Sequence, residues 1–295
     1  MLGKAVHVQL MGGLGNQMFQ YAAGRSLALR SNARLCIDAK TGFKRDTVYQ
    51  RQFELGELPI VGELGSLVTQ LPYYGERIWQ KLRSVRSEIE RRPWGTQINQ
   101  MNEKYQDSIR EFRAKGNTWV NGYWQSEKYF EDFRNEIGRE LSPVRPNETA
   151  YQRLAEKMMD QNSIAVGVRL FEEVPAGAAI VKASITPTHF YSNAARVAAK
   201  EIANPQFFVF CTKRFPVLDL LDLPGPVHYV THDEGYCGSV NVLWLFSQCS
   251  NYILSHSSFY WWGAWLSEFH NPRTRIVASL SFPSTNTVPP RWSQV

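Results

Sequence analysis

From Thr149 to Ala278 the chain switches repeatedly between short apolar runs and longer stretches whose apolar residues recur at helical spacing. Runs such as Ile164-Ala165-Val166-Gly167-Val168 and Phe207-Phe208-Val209-Phe210 suit strands buried on both faces, which occur in parallel sheets joined by helical crossovers. The pattern predicts strands over 163–168, 206–211, 227–230, 251–254 and 275–278. It predicts helices over 149–159, 189–202, 240–248 and 258–269. This half of the chain is therefore expected to be an α/β domain with a mainly parallel sheet.

The first forty residues read as another unit of the same kind. A strand over 6–10 runs into the turn Gly12-Gly13-Leu14-Gly15, Asn16 is placed to cap the next helix, and 17–30 is an amphipathic helix with Met18, Ala22 and Leu29 among its apolar positions. A second strand over 33–37 ends at Asp38. Further along, Ile78, Leu82, Val85 and Ile89 mark one face of a helix over 76–92, whose other face carries Arg77, Lys81, Arg83, Arg86, Arg91 and Arg92. That face reads as a solvated surface or as a dock for anionic lipid headgroups. A strand over 118–122 precedes a helix that runs to about Leu141. The segment Ser142-Pro143-Val144-Arg145-Pro146-Asn147 breaks helices and suits a linker, which sets domains of 1–146 and 147–295.

Composition narrows the function classes. Among 295 residues, 33 Lys and Arg against 27 Asp and Glu give a net charge of +6, too modest for a dedicated nucleic-acid binder but compatible with an anionic small molecule. No apolar run is long enough to span a bilayer, and the N-terminal apolar stretch is interrupted by His7 and Gln9, so a cytoplasmic location is expected. Cys36, Cys211, Cys237 and Cys249 form no C-x-x-C pair, and the histidines are scattered. Free thiols and no metal site are the expectation. Aromatic residues make up 13% of the chain, and rings serve both cores and sugar sites.

Gly13-Leu14-Gly15 between strand and helix, with Asp38 where a ribose-binding carboxylate would sit, invites a dinucleotide reading. Met18 opposes it, because the third glycine of that motif would stand there and the larger side chain obstructs helix–sheet packing. A helix start with close backbone approach still favours a phosphate or a sugar hydroxyl.

Three blocks carry a resemblance that spans essentially the whole chain. Gly12-Gly13-Leu14-Gly15-Asn16-Gln17-Met18-Phe19-Gln20-Tyr21-Ala22 closely resembles the N-terminal signature of the α-1,2-fucosyltransferases of glycosyltransferase family 11. Gly122-Tyr123-Trp124-Gln125-Ser126-Glu127-Lys128-Tyr129-Phe130 and Ser257-Ser258-Phe259-Tyr260-Trp261-Trp262-Gly263-Ala264-Trp265-Leu266 resemble its central and C-terminal blocks. The resemblance implies an α/β GT-B architecture, two Rossmann-like domains with the active site in the interdomain cleft. It further implies inverting transfer of fucose from GDP-fucose to the 2-hydroxyl of a terminal galactose, with no metal or other cofactor.

Under that reading the N-terminal domain is the acceptor side and the C-terminal domain binds GDP-fucose. Arg169, at the end of a buried strand, can clamp the diphosphate with its planar guanidinium. Gly13, Gly15, Asn16, Gln17, His256, Ser257 and Ser258 are the other donor or phosphate candidates. Tyr123, Trp124, Gln125 and Asp38 are the acceptor-side candidates. Glu172, in the family's acidic position, is the first choice of general base, with Glu173 second and Asp38 and His256 behind. The family's His-x-Arg-x-x-Asp is departed from: the histidine position is Gly167, and the second basic residue often present is Leu170. His256 replaces a common asparagine. Trp261, Trp262 and Trp265 are assigned to core packing rather than to sugar platforms. No base-specifying carboxylate can be named, since Cys211-Thr212-Lys213 and Val242 stand where acidic residues are common. The expected partners are GDP-fucose and a galactose-terminated oligosaccharide, with a peripheral position at an anionic membrane face as an additional expectation. A non-catalytic carbohydrate-binding protein and an NAD-dependent oxidoreductase are the competing classes.

Overall fold

A computed structural model describes residues 3–79, 87–102, 104–170, 186–282 and 286–295. The chain divides into two compact units, one of residues 1–141 with 284–287, the other of 142–283 with 288–295. Each is built on one six-stranded sheet, so the α/β plan read from the strand–helix alternation is the observed one.

In the first unit β1 (Ala5–Gln9) leads into α1 (Leu14–Ser31) and β2 (Arg34–Asp38), followed by the short edge strand β3 (Glu63–Leu64) and α2 (Leu71–Trp79). Then come β4 (Ile89–Arg92), β5 (Gly95–Asn99), α3 (Asp107–Glu111), β6 (Asn117–Asn121) and α4 (Arg134–Leu141). The strand order is β3-β2-β1-β6-β5-β4, parallel except for the β4–β5 hairpin.

α1 is buried on nearly every side, not amphipathic as its sequence suggests. Several of its polar residues are held by hydrogen bonds to groups outside the helix. Gln20 accepts from the Met11 N–H at 2.9 Å, Tyr21 donates to Glu140 at 2.7 Å, and Arg25 forms a bidentate pair with the same Glu140. Asn32 ends the helix in the left-handed conformation, its N–H reaching back to Ala28 and Leu29.

The helix expected over 76–92 is corrected at its C-terminal end. Ile89–Arg92 is an edge strand, and Ile89, the last residue of the supposed apolar face, is exposed. Arg92 does not belong to a basic surface; it is mostly buried and ion-paired with Glu90, whose carboxylate also accepts from the Ser87 N–H at 2.8 Å. Inward charge on an edge strand discourages edge-to-edge pairing, and it also hides the period-2 pattern that would have revealed the strand. The remainder of the expected basic face, 80–86, lies outside the described residues.

The second unit runs α5 (Thr149–Met158), β7 (Ser163–Gly167), α6 (Thr188–Glu201), β8 (Gln206–Phe210), β9 (Val227–Val230), α7 (Ser239–Phe246), β10 (Asn251–Leu254), α8 (Ser258–His270), β11 (Arg275–Ala278) and β12 (Ser293–Gln294). All its strands are parallel, in the order β12-β11-β10-β7-β8-β9. Much of the aromatic surplus lies in its core. Trp261, Trp262 and Trp265 are fully buried, and Trp265 stacks on Phe269 with ring centroids 5.8 Å apart.

Gly167 decides how α8 meets β7. A Cβ there would lie 2.5 Å from Cγ of Tyr260, whose hydroxyl donates to the Phe210 carbonyl at 3.0 Å. The ring is held at both ends and cannot swing aside. Gly167→Ala is therefore expected to lower stability by about 1–3 kcal/mol, the usual cost of overpacking, read as a lower denaturant midpoint with an unchanged m-value.

His7 is one buried ionisable group of the first sheet. It stacks on Trp119 at 4.4 Å, faces Thr69 Oγ1 at 3.1 Å, and is 3% exposed. Burial pulls its pKa below 6.5, Arg34 adds to the effect, and the bond to Asn117 opposes it. The unfolded chain then takes up this proton more readily than the folded one. The stability His7 contributes is complete above pH 6.5 and is lost as the pH falls toward the depressed folded value. Thermal melts between pH 7 and pH 5 should show a declining midpoint that His7→Gln makes shallower, leaving the contribution of His270, which burial also holds low.

Candidate active site

In an open α/β sheet, ligands bind beyond the carboxyl ends of the strands where the strand order reverses. In the first sheet that point lies between β1 and β6, and in the second between β7 and β10. All three sequence blocks map to these two reversals.

At the β1–β6 reversal, Gly12 adopts a φ of +75°, which turns the chain from strand into helix, and Gly13 is the N-cap of α1. Asn16 is not the cap expected of it. It sits in the first helical turn, where its side-chain oxygen accepts from Gln125 Nε2 at 2.8 Å. The N-terminal and central blocks thus meet through two candidates named for different roles. Gly15 is buried within the first turn.

Gln17 is corrected from ligand to brace. Its amide donates to the carbonyls of Gly12 at 2.9 Å and Gln52 at 2.8 Å, and accepts from the N–H groups of Glu54 and Leu55. Both amide protons and the oxygen are spent on the glycine turn and chain 52–55, which leaves nothing to offer a substrate. Asp38 is corrected likewise. It is 2% exposed and accepts from the N–H groups of Lys40 and Thr41, each at 3.0 Å, and from the Thr41 hydroxyl. It closes the turn after β2, with both carboxylate oxygens engaged there. Trp124 is fully buried in the left-handed conformation, edge-on to Tyr129 at 5.3 Å, so it too is core and not an acceptor platform. Tyr123, 42% exposed, keeps an accessible ring, and burial of its hydroxyl end together with nearby Asp46 raises its pKa.

One cation at this point escapes sequence reasoning. The Arg51 guanidinium carbon lies 3.8 Å from where a Cβ on Gly13 would be. Its loop is tied by Asp46, which accepts from the N–H groups of Tyr49 at 2.8 Å and Arg51 at 3.0 Å. No motif marks Arg51; only the folding of loop 46–51 over the glycine turn brings it there.

At the β7–β10 reversal, Gly167 lies level with Leu254, and the Ser255 N–H donates to the Gly167 carbonyl at 3.1 Å. Arg169 and Ser257, far apart in the chain, therefore leave neighbouring strand ends. The Arg169 N–H donates to the Tyr191 hydroxyl at 3.3 Å, which anchors its backbone on α6. Ser257 is the N-cap of α8 with no side-chain capping bond, and Ser258 opens the helix; both are half-buried. The helix start therefore offers backbone N–H groups together with hydroxyls, a combination suited to phosphate oxygens. His256 is half-buried, with its ring 5.2 Å from that of Phe282 and its N–H donating to Thr186 Oγ1 at 3.1 Å. Glu172 and Glu173 lie outside the described residues. Leu170 is buried, in line with its loss of the second basic role.

At the far side of this sheet the Arg214 guanidinium lies 3.5 Å over the Tyr229 ring, and the Arg214 N–H donates to Asp233 at 2.7 Å. These groups join the ends of β8 and β9, and no spacing in the sequence links them. Among the described residues, no group of three or more His, Cys, Asp or Glu is gathered as a metal ion would require.

Comparison with known proteins finds relatives over most of the chain. The chain is 26% identical to an alpha-1,2-colitosyltransferase of Escherichia coli over 90% of this chain and 88% of that one. It is 23% identical to the O-antigen biosynthesis glycosyltransferase WbnK of Escherichia coli, over 92% of each. Among solved structures, the NodZ alpha-1,6-fucosyltransferase soaked with GDP-fucose superposes with a TM-score of 0.51 at 20% identity, covering 90% of this chain and 92% of that one. That likeness carries the two-domain GT-B fold. The model of the glycosyl transferase family 11 matches residues 5–278, and the chain belongs to that family.

Proposed function

We propose that this family 11 glycosyltransferase moves L-fucose from GDP-β-L-fucose to the 2-hydroxyl of a terminal galactose, with inversion and without a metal. The observation that supports the donor half is the β7–β10 reversal, where Arg169 and the hydroxyl- and amide-rich start of α8 follow the ends of two neighbouring strands. In the reaction the bond from fucose C1 to the diphosphate oxygen breaks as the bond from C1 to galactose O2 forms. The O2 proton passes to a carboxylate, and GDP leaves with the bonding electron pair. Charge grows on the leaving diphosphate, and a fixed guanidinium with oriented N–H groups stabilises it more in the transition state than before it. Glu172 is the base we assign, with Glu173 as the second choice, on the strength of its position three residues after Arg169. Tyr123, Gln125 and Asn16 at the β1–β6 reversal supply the acceptor side, where an exposed ring can lie against a sugar face.

The resemblance to a colitosyltransferase favours one variation of this reading, a donor carrying colitose in place of fucose. The test is incubation with GDP-fucose and a β-galactoside in the presence of a chelator, and separately with the colitose donor, with the product linkage mapped by NMR. An α-1,2-fucosyl galactoside is expected. A product linked elsewhere, loss of turnover in chelator, or exclusive use of colitose would each overturn the corresponding part. Arg169→Ala should cut kcat by roughly 10²–10³-fold, the scale seen when one transition-state donor is removed. Glu172→Gln should depress kcat while leaving the KM for donor within about threefold, the split expected of a proton acceptor and not of a binding residue.

A further inference from the structure

A small cavity lies inside the first unit, between α1, α3 and the end of β6. Its volume is about 10 Å³, room for one occupant the size of a water molecule. Arg30 of α1, Arg110 of α3, and Trp124 and Tyr129 of the central block line it, and the remaining walls are hydrocarbon side chains of α1, α3 and β6.

Arg30 carries a charge that its neighbours do not balance. Its side chain is only 7% exposed, yet the carboxylate facing it, Asp132, stands 3.7 Å away and is held more closely by Arg110 at 2.9 Å. Among the described residues its guanidinium spends one of its several N–H donors, on the Tyr129 carbonyl at 3.4 Å. Burial lowers its pKa; Arg113 adds to that effect, Asp132 opposes it and Arg110 adds again. A buried cation with its partner at arm's length is costly unless another group compensates it. Trp124 is in the same position as a donor. It is fully buried, and its Nε1–H meets no acceptor among the described residues. A buried indole N–H ordinarily finds one.

The lining decides the class of occupant. Arginine and tryptophan side chains donate and cannot accept, and the hydrocarbon walls do neither. The two oxygens of Tyr129 already accept N–H groups, the carbonyl from Arg30 and the hydroxyl from Gln106 at 2.9 Å. A water molecule here would have to turn its own protons toward donors and hydrocarbon. A monatomic anion needs only donors and positive charge, and the volume leaves no room for a phosphate or a sulfate.

We propose that this cavity binds a halide ion, chloride in ordinary buffers, held by the Arg30 guanidinium and the Trp124 N–H with the partly exposed Arg110 at its edge. Trp124 stands between Tyr123 and Gln125 in the chain, so the ion braces the segment that carries two acceptor-side candidates. The site does not rest on the transfer reaction, and its test needs no turnover.

The test compares thermal unfolding of the full chain in sodium chloride, sodium bromide and sodium gluconate, each at about 0.2 M so that screening is the same. Chloride and bromide should raise the midpoint of the parent over gluconate by about 2 °C or more, saturating with concentration, because an ion that binds only the folded state stabilises it. Arg30→Met should abolish that difference between anions, whatever its own midpoint. Trp124→Phe, which keeps a ring and removes the N–H, should reduce it and provides the readout if Arg30→Met does not fold. Crystals of the parent grown in bromide should show an anomalous peak inside the cavity. Equal midpoints in halide and gluconate, or a halide effect that both variants retain, overturn the inference. So does bromide found on the surface alone, an adventitious ion only.

Discussion

The seat of Tyr260 on Gly167 holds the second unit's site together. With no side chain at Gly167, the ring of Tyr260 lies directly on the end of β7, and its hydroxyl is fixed to the Phe210 carbonyl of β8. One aromatic residue therefore locks the first turn of α8 against two neighbouring strands. Ser257 and Ser258 at the start of α8 are thereby fixed next to the strand end that Arg169 follows.

The first unit reaches a similar arrangement by different means. Its reversal point is organised by saturated polar side chains rather than by a close aromatic contact. Gln17 ties the glycine turn to residues 52–55, Asp38 closes the turn after β2, and Asp46 orders the loop that carries Arg51 across Gly13. Buried amides and carboxylates with every bond met are expensive to disturb, so they serve as framework. Asn16, Gln125, Tyr123 and Arg51 lie at the margin of this framework. Residues that look like ligands in a motif can be the ones that hold the ligands' backbone in place.

Much of this was legible beforehand, unevenly and for physical reasons. Strands 227–230, 251–254 and 275–278 coincide with their predicted limits, because a strand in a parallel sheet is a short apolar run bounded by turns. The hairpin of β4 and β5 was invisible, since its inward residues include Glu90 and Arg92 and its apolar Ile89 faces out. α1 read as amphipathic because its polar residues are real, but they are largely buried, and some find partners distant in the chain, such as Glu140 for Tyr21 and Arg25. Trp124 enters as an acceptor-side candidate by resemblance, with core packing at least as good a reading, and Asp38 by its place at the end of β2; only burial shows that both are enclosed.

By itself, the sequence determined the α/β class, the family, and the three blocks that carry its chemistry, since these depend on local period and on residue identity at fixed spacing. The tertiary structure alone decided that each block sits at a reversal of strand order, that Arg169 and Ser257 follow the neighbouring strands β7 and β10, and that Gln17 and Asp38 are braces. Those facts depend on which strands pair and which hydrogen bonds are already spent. Pairing between residues far apart in the chain is fixed by the packing of the whole sheet, and no local pattern encodes it.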